Sequence, residues 1–513
     1  MKKELRYKNM IQAKVPSDKL SKIKEIPWVE KIRKPKQGHP TSITSEGINS
    51  MNITPLHDSG VTGNNTKVGV LAVTGFNLSN PEINSSIEDY QNFTNDGIDN
   101  NGDNDHGTAV AEIVNDVAPD AELYLSNFDS GVQYANAAQW LENNEVDIIV
   151  MSVSFFGEPY DGNGFISEVA DGIVKNGTVW VNSAGNYAKD HWKGTFNDTD
   201  NNDFHNFNET TNMNLLNNGN EIREGNYVTI YLNWQDWPES DQDYDLHLVN
   251  STGTIVANST YPQNGDDEPW EALSVSIPKT DTYRAAIHNY NASGDSELEM
   301  FFTGIGSPIY SNALSSITAP ACGNNVTTVG AYYYDNYQLE PFSSWGPTND
   351  GRNGLDIMGA DGVTTEAYSS AFYGTSASAP HIAGLASLIL SNKSYLKPEE
   401  VENLLTSSTT DMNVTGVDYK TGYGRLNGSK LLENLEDRLV VDKSTDKGFE
   451  SIQNAVNNAS KNDTVVVNSG EYLENVVVDK AITLVGNDTG TGKPIINGTE
   501  EGSVLNITNS DVE

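Results

Sequence analysis

Short apolar runs alternate with amphipathic stretches through most of the chain. Val68-Gly-Val-Leu-Ala-Val73, Ala121-Glu-Leu-Tyr-Leu-Ser126, Val146-Asp-Ile-Ile-Val-Met-Ser-Val153 and Thr178-Val-Trp-Val-Asn-Ser-Ala184 are brief and rich in β-branched residues. Between them lie stretches of helical period, such as residues 132–143 and 165–175. Strands buried on both faces read as continuous apolar runs, so this alternation predicts an α/β fold: a parallel sheet with helices on both faces.

The pattern changes between about residues 214 and 304. Tyr227-Val-Thr-Ile-Tyr-Leu-Asn-Trp234, Tyr244-Asp-Leu-His-Leu-Val-Asn250 and Thr282-Tyr-Arg-Ala-Ala-Ile-His-Asn-Tyr290 alternate in polarity and are separated by Gly, Asn, Asp and Pro. Such spacing predicts an all-β sandwich inserted into the α/β block, which spans residues 45–436 and resumes at Asn325-Val-Thr-Thr-Val-Gly330. Residues 437–513 change texture again. One amphipathic helix at 449–458 precedes Thr464-Val-Val-Val467, Glu474-Asn-Val-Val-Val478, Ile482-Thr-Leu-Val485 and Ser503-Val-Leu-Asn-Ile-Thr508. Strands this closely spaced predict the beginning of a parallel β-helix capped by that helix. At the other end, residues 10–33 read as strand, helix and strand within a basic opening segment, residues 1–44.

Charge narrows the partners. The formal net charge is −40, which argues against nucleic acid and anionic membrane surfaces, since both are polyanions. No apolar run approaches the ~18–20 residues of a membrane span. Cys322 is the only cysteine, so neither an intrachain disulfide nor a zinc–thiolate cluster can form. The opening Met1-Lys-Lys-Glu-Leu-Arg6 shows no signal-peptide h-region, whereas Asn-x-Ser/Thr triplets recur, as at Asn52, Asn197 and Asn413.

Three segments carry chemistry. In Asp105-His106-Gly107-Thr108-Ala109-Val110-Ala111, small residues after the histidine let a helix begin hard against the sheet, leaving the imidazole at its edge. In Gly374-Thr375-Ser376-Ala377-Ser378-Ala379-Pro380-His381, the Ser376 hydroxyl sits where a helix starts, beside free N–H groups and the positive end of the helix dipole. Val179-Trp-Val-Asn-Ser-Ala-Gly-Asn186 ends a buried strand with an amide, a donor suited to charge developing on a carbonyl oxygen.

In this order the three segments resemble the His-Gly-Thr, Ser-Ala-Gly-Asn and Gly-Thr-Ser-x-Ser-x-Pro motifs of the subtilases, together with Ser343-Ser-Trp-Gly-Pro347. The resemblance covers roughly residues 45–435. It implies a subtilisin-like serine endopeptidase in which Ser376 attacks the scissile carbonyl, His106 takes its proton and Asn186 with the Ser376 N–H holds the oxyanion. It further implies an extended polypeptide substrate, lined by Ser152, Ser154, Ser183 and Gly185, and no required cofactor. The basic opening segment resembles the tail of an inhibitory propeptide. The β insertion is similar to sandwich modules appended to secreted peptidases, and the closing segment resembles surface β-helix repeats of archaeal cell-envelope proteins. An extracellular or cell-surface location is the implied setting.

One position departs. Subtilases place the triad aspartate at the end of the first core strand, and aligning on Thr74-Gly75 puts Val73 there. Valine cannot accept the imidazole Nδ1–H. Asp58-Ser59-Gly60 offers an Asp-Ser-Gly triplet but follows no apolar strand, and is rejected. The acidic loop from Asp96 through Asp99 and Asp103 to Asp105 is the fallback, or else a solvated turn or calcium site. Asp241, Asp243 and Asp245 share one face of a strand and read as facing water, with calcium as the other option. The alternative function is therefore a decayed pseudopeptidase acting as a surface binding or structural protein. A carbohydrate-directed β-helix protein rests on the tail alone.

Overall fold

The structure is a computed structural model that describes residues 2–7, 10–14, 22, 44–99, 105–368, 370–435, 438–442, 449–460, 463–490, 492–499 and 503–508. Residues 1–42 and 43–513 form two separate units. In the first, strands Lys2–Tyr7 and Met10–Lys14 pair antiparallel. The helix and second strand expected within residues 16–34 lie outside the described residues, Lys22 apart.

The second unit is built on a nine-stranded sheet. Strands Lys67–Ala72, Glu122–Asn127, Ile148–Met151, Val179–Ser183, Thr327–Tyr333 and Ile357–Asp361 run parallel. The apolar runs become its interior: five of the six residues of Lys67–Ala72, and all of Ile148–Met151 and Val179–Ser183, are buried. Helices cover both faces, because side chains alternate along each strand. A Cβ on Gly107, in helix His106–Val117, would touch Ala72, whereas one on Gly69, on the other face of the same strand, would touch Leu141 of helix Gly131–Asn143.

Helix Thr375–Asn392 is buried almost all round, from Thr375 to Leu390 except at Ser376. A helix apolar on every side belongs in the middle of a core. It crosses helix His106–Val117 so closely that a Cβ on Gly384 would lie 2.5 Å from Val117. Both helices begin at the carboxyl edge of the parallel strands, the usual place for ligands in open α/β sheets.

Two four-stranded antiparallel sheets interrupt this block and enclose a second apolar cluster that includes Trp234, Tyr244, Leu246 and Ile287. They reach further back than the expected start at residue 214, because strand His191–Thr195 pairs with Glu297–Thr303. That strand, His-Trp-Lys-Gly-Thr, is short and polar, so its polarity pattern does not mark it. In the tail, helix Ile452–Asn458 adjoins three short parallel sheets, one of them formed by Arg438–Val441, Thr464–Asn468 and Thr483–Asn487.

Candidate active site

Strand ends and helix starts converge at the carboxyl edge. His106 is the first residue of its helix, and Gly107 N–H donates to Thr74 Oγ1 at 3.0 Å. The turn Val73-Thr74-Gly75 is thereby clasped to the start of the His106 helix. The His106 ring meets Phe372 edge-on at 5.5 Å, and Phe372 lies four residues before Ser376.

The turn that carries Ser376 is held from three sides. Gly374 has φ +111°, a conformation that side chains rarely adopt, and its N–H donates to Asp361 Oδ2 at 2.8 Å. Thr375 offers both its N–H and its hydroxyl to Asn186 Oδ1, each at 3.0 Å. Those two donors fix the amide orientation, since only the oxygen can accept them. The Asn186 Nδ2 then faces Gly374, where an added Cβ would lie 2.9 Å away.

The third hold follows from a proline. In a regular helix the Ser376 carbonyl accepts from the N–H of residue 380, but Pro380 has none. Ser152 supplies the missing donor, its Oγ lying 3.2 Å from Ser376 O. Ser152 therefore fixes the backbone of Ser376 itself.

The remaining groove residues divide. Ser154 meets the phenol of Tyr187, whose ring packs against Phe156 and Phe301. Phe156 in turn stacks on Tyr231 at 4.3 Å, so an aromatic cluster joins this segment to the inserted sheets. Ser183 is buried, and its strand is paired on both edges. Gly185 donates its N–H to Thr375 Oγ1 at 3.2 Å, and its carbonyl accepts from Ser344 N–H at 3.0 Å. Its backbone is committed internally, so Ser183 and Gly185 support the site rather than offering a free edge.

Among the described residues, no acid is hydrogen-bonded to His106. Its Nδ1 is buried without a hydrogen-bond partner among the described residues. Burial pushes its pKa down to about 4, leaving the imidazole neutral. Val73 is 45% exposed at the end of strand Lys67–Ala72. Asp58 is exposed and follows His57, whose Nε2 contacts the carbonyl of Val117 at the far end of the His106 helix. That 12-residue helix separates the triplet from His106 by roughly 17 Å at ~1.5 Å per residue. Asp105 sits at the N-cap of the helix, and residues 100–104 of the acidic loop lie outside the described residues.

Motif reading overlooks Phe372, Thr375 and Asp361 as parts of the site. Asp361 carries the one available signal, an acid closing an apolar strand at the carboxyl edge. It is fully buried, and desolvation, with Glu340 nearby, raises its pKa to about 8.

Comparison with known proteins shows the family of the chain. The model of the subtilase family matches residues 63–205 and 248–424. Subtilisin E of Bacillus subtilis is 29% identical over 208 residues, covering 36% of this chain and 51% of that protein. The subtilisin of Bacillus pumilus is 32% identical over 161 residues, covering 27% and 54%. The chain thus spans about half the length of the curated relatives it matches. Among solved structures, the Clostridium perfringens CspB protease superposes with a TM-score of 0.59 over 77% of this chain and 99% of that one. At 16% identity that likeness concerns the fold. With more than half its length matched by the family model, the chain belongs to the subtilase family.

Proposed function

We propose that the chain is a serine endopeptidase acting through a Ser376 acyl-enzyme at a rate held low by Val73. The Ser376 oxygen attacks the carbonyl carbon of an extended peptide, and its proton passes to His106 Nε2. The carbonyl oxygen becomes an oxyanion facing Asn186 Nδ2 and the Ser376 N–H. Collapse breaks the C–N bond as His106 returns the proton to the leaving amine, and water then reverses the sequence to free the acid. This chemistry needs no cofactor.

The observation that carries the reading is the Thr375–Asn186 clasp, which leaves an amide donor beside the nucleophile turn. Turnover is slow because His106 must hold its proton on Nδ1 for Nε2 to act as base. With no acceptor at Nδ1 among the described residues, no described group selects that tautomer or steadies the imidazolium. The same empty position favours a second reading, a pseudopeptidase that binds peptides or serves as a surface component.

As modules of such a protein, the inserted sheets form a sandwich, the basic hairpin is the tail of an inhibitory propeptide, and the closing sheets are the first turns of a surface β-helix of archaeal type. An extracellular setting accords with this; among the described residues no helix is long and apolar enough to cross a membrane. The test is labelling by a fluorophosphonate, which reacts only with an activated serine. Slow labelling at Ser376, absent in Ser376→Ala, supports the peptidase. A wild type that is never labelled supports the second reading.

A further inference from the structure

The second inserted sheet carries polar side chains where a sheet face ought to be dry or wet throughout. Along strand Asp243–Asn250, Tyr244, Leu246 and Leu248 face the apolar cluster, so Asp243, Asp245 and His247 share the opposite face. Water does not reach that face freely: Asp243 is 4%, Asp245 7% and His247 8% exposed. The expectation that Asp243 and Asp245 face water is thus corrected; only Asp241, outside the strand, is exposed. The strand is flanked on both edges, and Phe204 lies against the rings of His247 and His288 at 6.1 and 4.8 Å.

The neighbouring strand Tyr283–Asn291 places His288 directly opposite Asp245, and His288 Nδ1 lies 3.0 Å from Asp245 Oδ2. One ligand atom each from Asp245, His247 and His288 fall within 4.8 Å of one another. His247 Nδ1 and Asp243 Oδ1 are buried and have no hydrogen-bond partner among the described residues. A buried ring nitrogen without a partner costs roughly 1–3 kcal/mol, and natural interiors rarely leave one so.

We propose that Asp245, His247 and His288 form a binding site for a zinc-type divalent transition cation, with Asp243, next along the face, as a fourth ligand. Two imidazoles and a carboxylate are a set that suits zinc and its neighbours. Calcium prefers six to eight oxygens, and two of the three converging side chains offer nitrogen. A tetrahedral zinc with bonds of about 2.0–2.1 Å holds its ligands roughly 3.3 Å apart, so only a small closure of the 4.8 Å group is needed.

The site lies on the sheet that does not carry Tyr231 and Phe301, whose rings pack against Phe156. Its role is to tie two strands of the insertion together, so it stands or falls independently of catalysis at Ser376.

The test is calorimetric titration of the full chelator-treated chain with Zn2+, alongside visible spectra with Co2+. We expect binding near one equivalent, an intense cobalt spectrum of tetrahedral nitrogen-containing coordination, and a rise in melting temperature with zinc. His247→Gln and His288→Gln should each weaken binding by about a hundredfold or more, while His57→Gln leaves it unchanged. Absence of saturable binding, or binding equal in His247→Gln and the wild type, overturns the proposal. The cobalt spectrum reads imidazole ligation in the wild type itself, so a variant that fails to fold does not shield the idea. An octahedral, oxygen-only spectrum, or calcium competing on equal terms, also overturns it.

Discussion

Replacing Val73 by aspartate tests the missing acid where it should matter. In serine peptidases, loss of the acid alone lowers turnover by about four orders of magnitude, roughly 5.5 kcal/mol, a figure carried over from those enzymes. Recovery here should be partial, because Val73 is 45% exposed and a carboxylate there would be screened. At an effective dielectric near 20, two charges about 4 Å apart interact by roughly 4 kcal/mol, or about a thousandfold. Val73→Asp should therefore raise fluorophosphonate inactivation and peptide hydrolysis by roughly a hundred- to ten-thousandfold. The same carboxylate should lift the His106 pKa from about 4 towards neutrality, since an adjacent opposite charge shifts a pKa by about 1–3 units. The wild-type rate should hence be flat above about pH 5, with the Val73→Asp rate falling on an acid limb nearer pH 6. A surface exchange of this kind alters stability by only about 0.5 kcal/mol, so folding should not obscure the result. A folded Val73→Asp protein no faster than wild type, with its acid limb still near pH 4, would refute the reasoning.

Further consequences follow from the same contacts. Ser152→Ala strips the Ser376 carbonyl of its donor, so stability should fall by roughly 1–3 kcal/mol in denaturant melts and labelling should slow at least tenfold, while Ser152→Thr retains both. Thr375→Val removes one of the two donors that orient Asn186 and should slow labelling about tenfold; Asn186→Ala, which removes the proposed oxyanion donor, should slow it about 10²–10³-fold, the range seen in serine peptidases. Stability should peak at mildly acidic pH. Desolvation raises Glu112, Asp116 and Glu158 to about 7, and Asp361 and Glu402 to about 8, so the folded chain holds protons that the unfolded chain has released, and stability declines as pH rises from about 5 to 8. His106, His205 and His381, lowered to about 4 by desolvation, act oppositely, because the unfolded chain gains protons first as pH falls below about 6.5. Five raised acids outweigh three lowered histidines, so a melting temperature higher at pH 8 than at pH 5.5 would contradict this balance.

What could be read from the chain alone was what is contiguous in it. His106-Gly107-Thr108, Ser183-Ala-Gly-Asn186 and Gly374-Thr-Ser376 are local packages in which small residues and a helix start already state the chemistry. The apolar runs likewise marked their strands, because burial on both faces leaves no polar alternation. The supports were hidden because they join distant segments: Ser152 reaches Ser376 across 224 positions, and nothing near Ser152 announces it. Ser183 and Gly185 matched a groove motif, yet their surroundings consume the groups that a peptide would need. Asp243 and Asp245 misled for another reason. Alternation shows which residues share a face, but whether that face is wet depends on what later folds over it.

The most direct measurement is the fluorophosphonate inactivation rate of the folded 513-residue chain, with the adduct located by mass spectrometry, for wild type, Ser376→Ala and Val73→Asp. The account predicts slow labelling confined to Ser376, none in Ser376→Ala and much faster labelling in Val73→Asp. Labelling of another serine, or none in either the wild type or Val73→Asp, would contradict it.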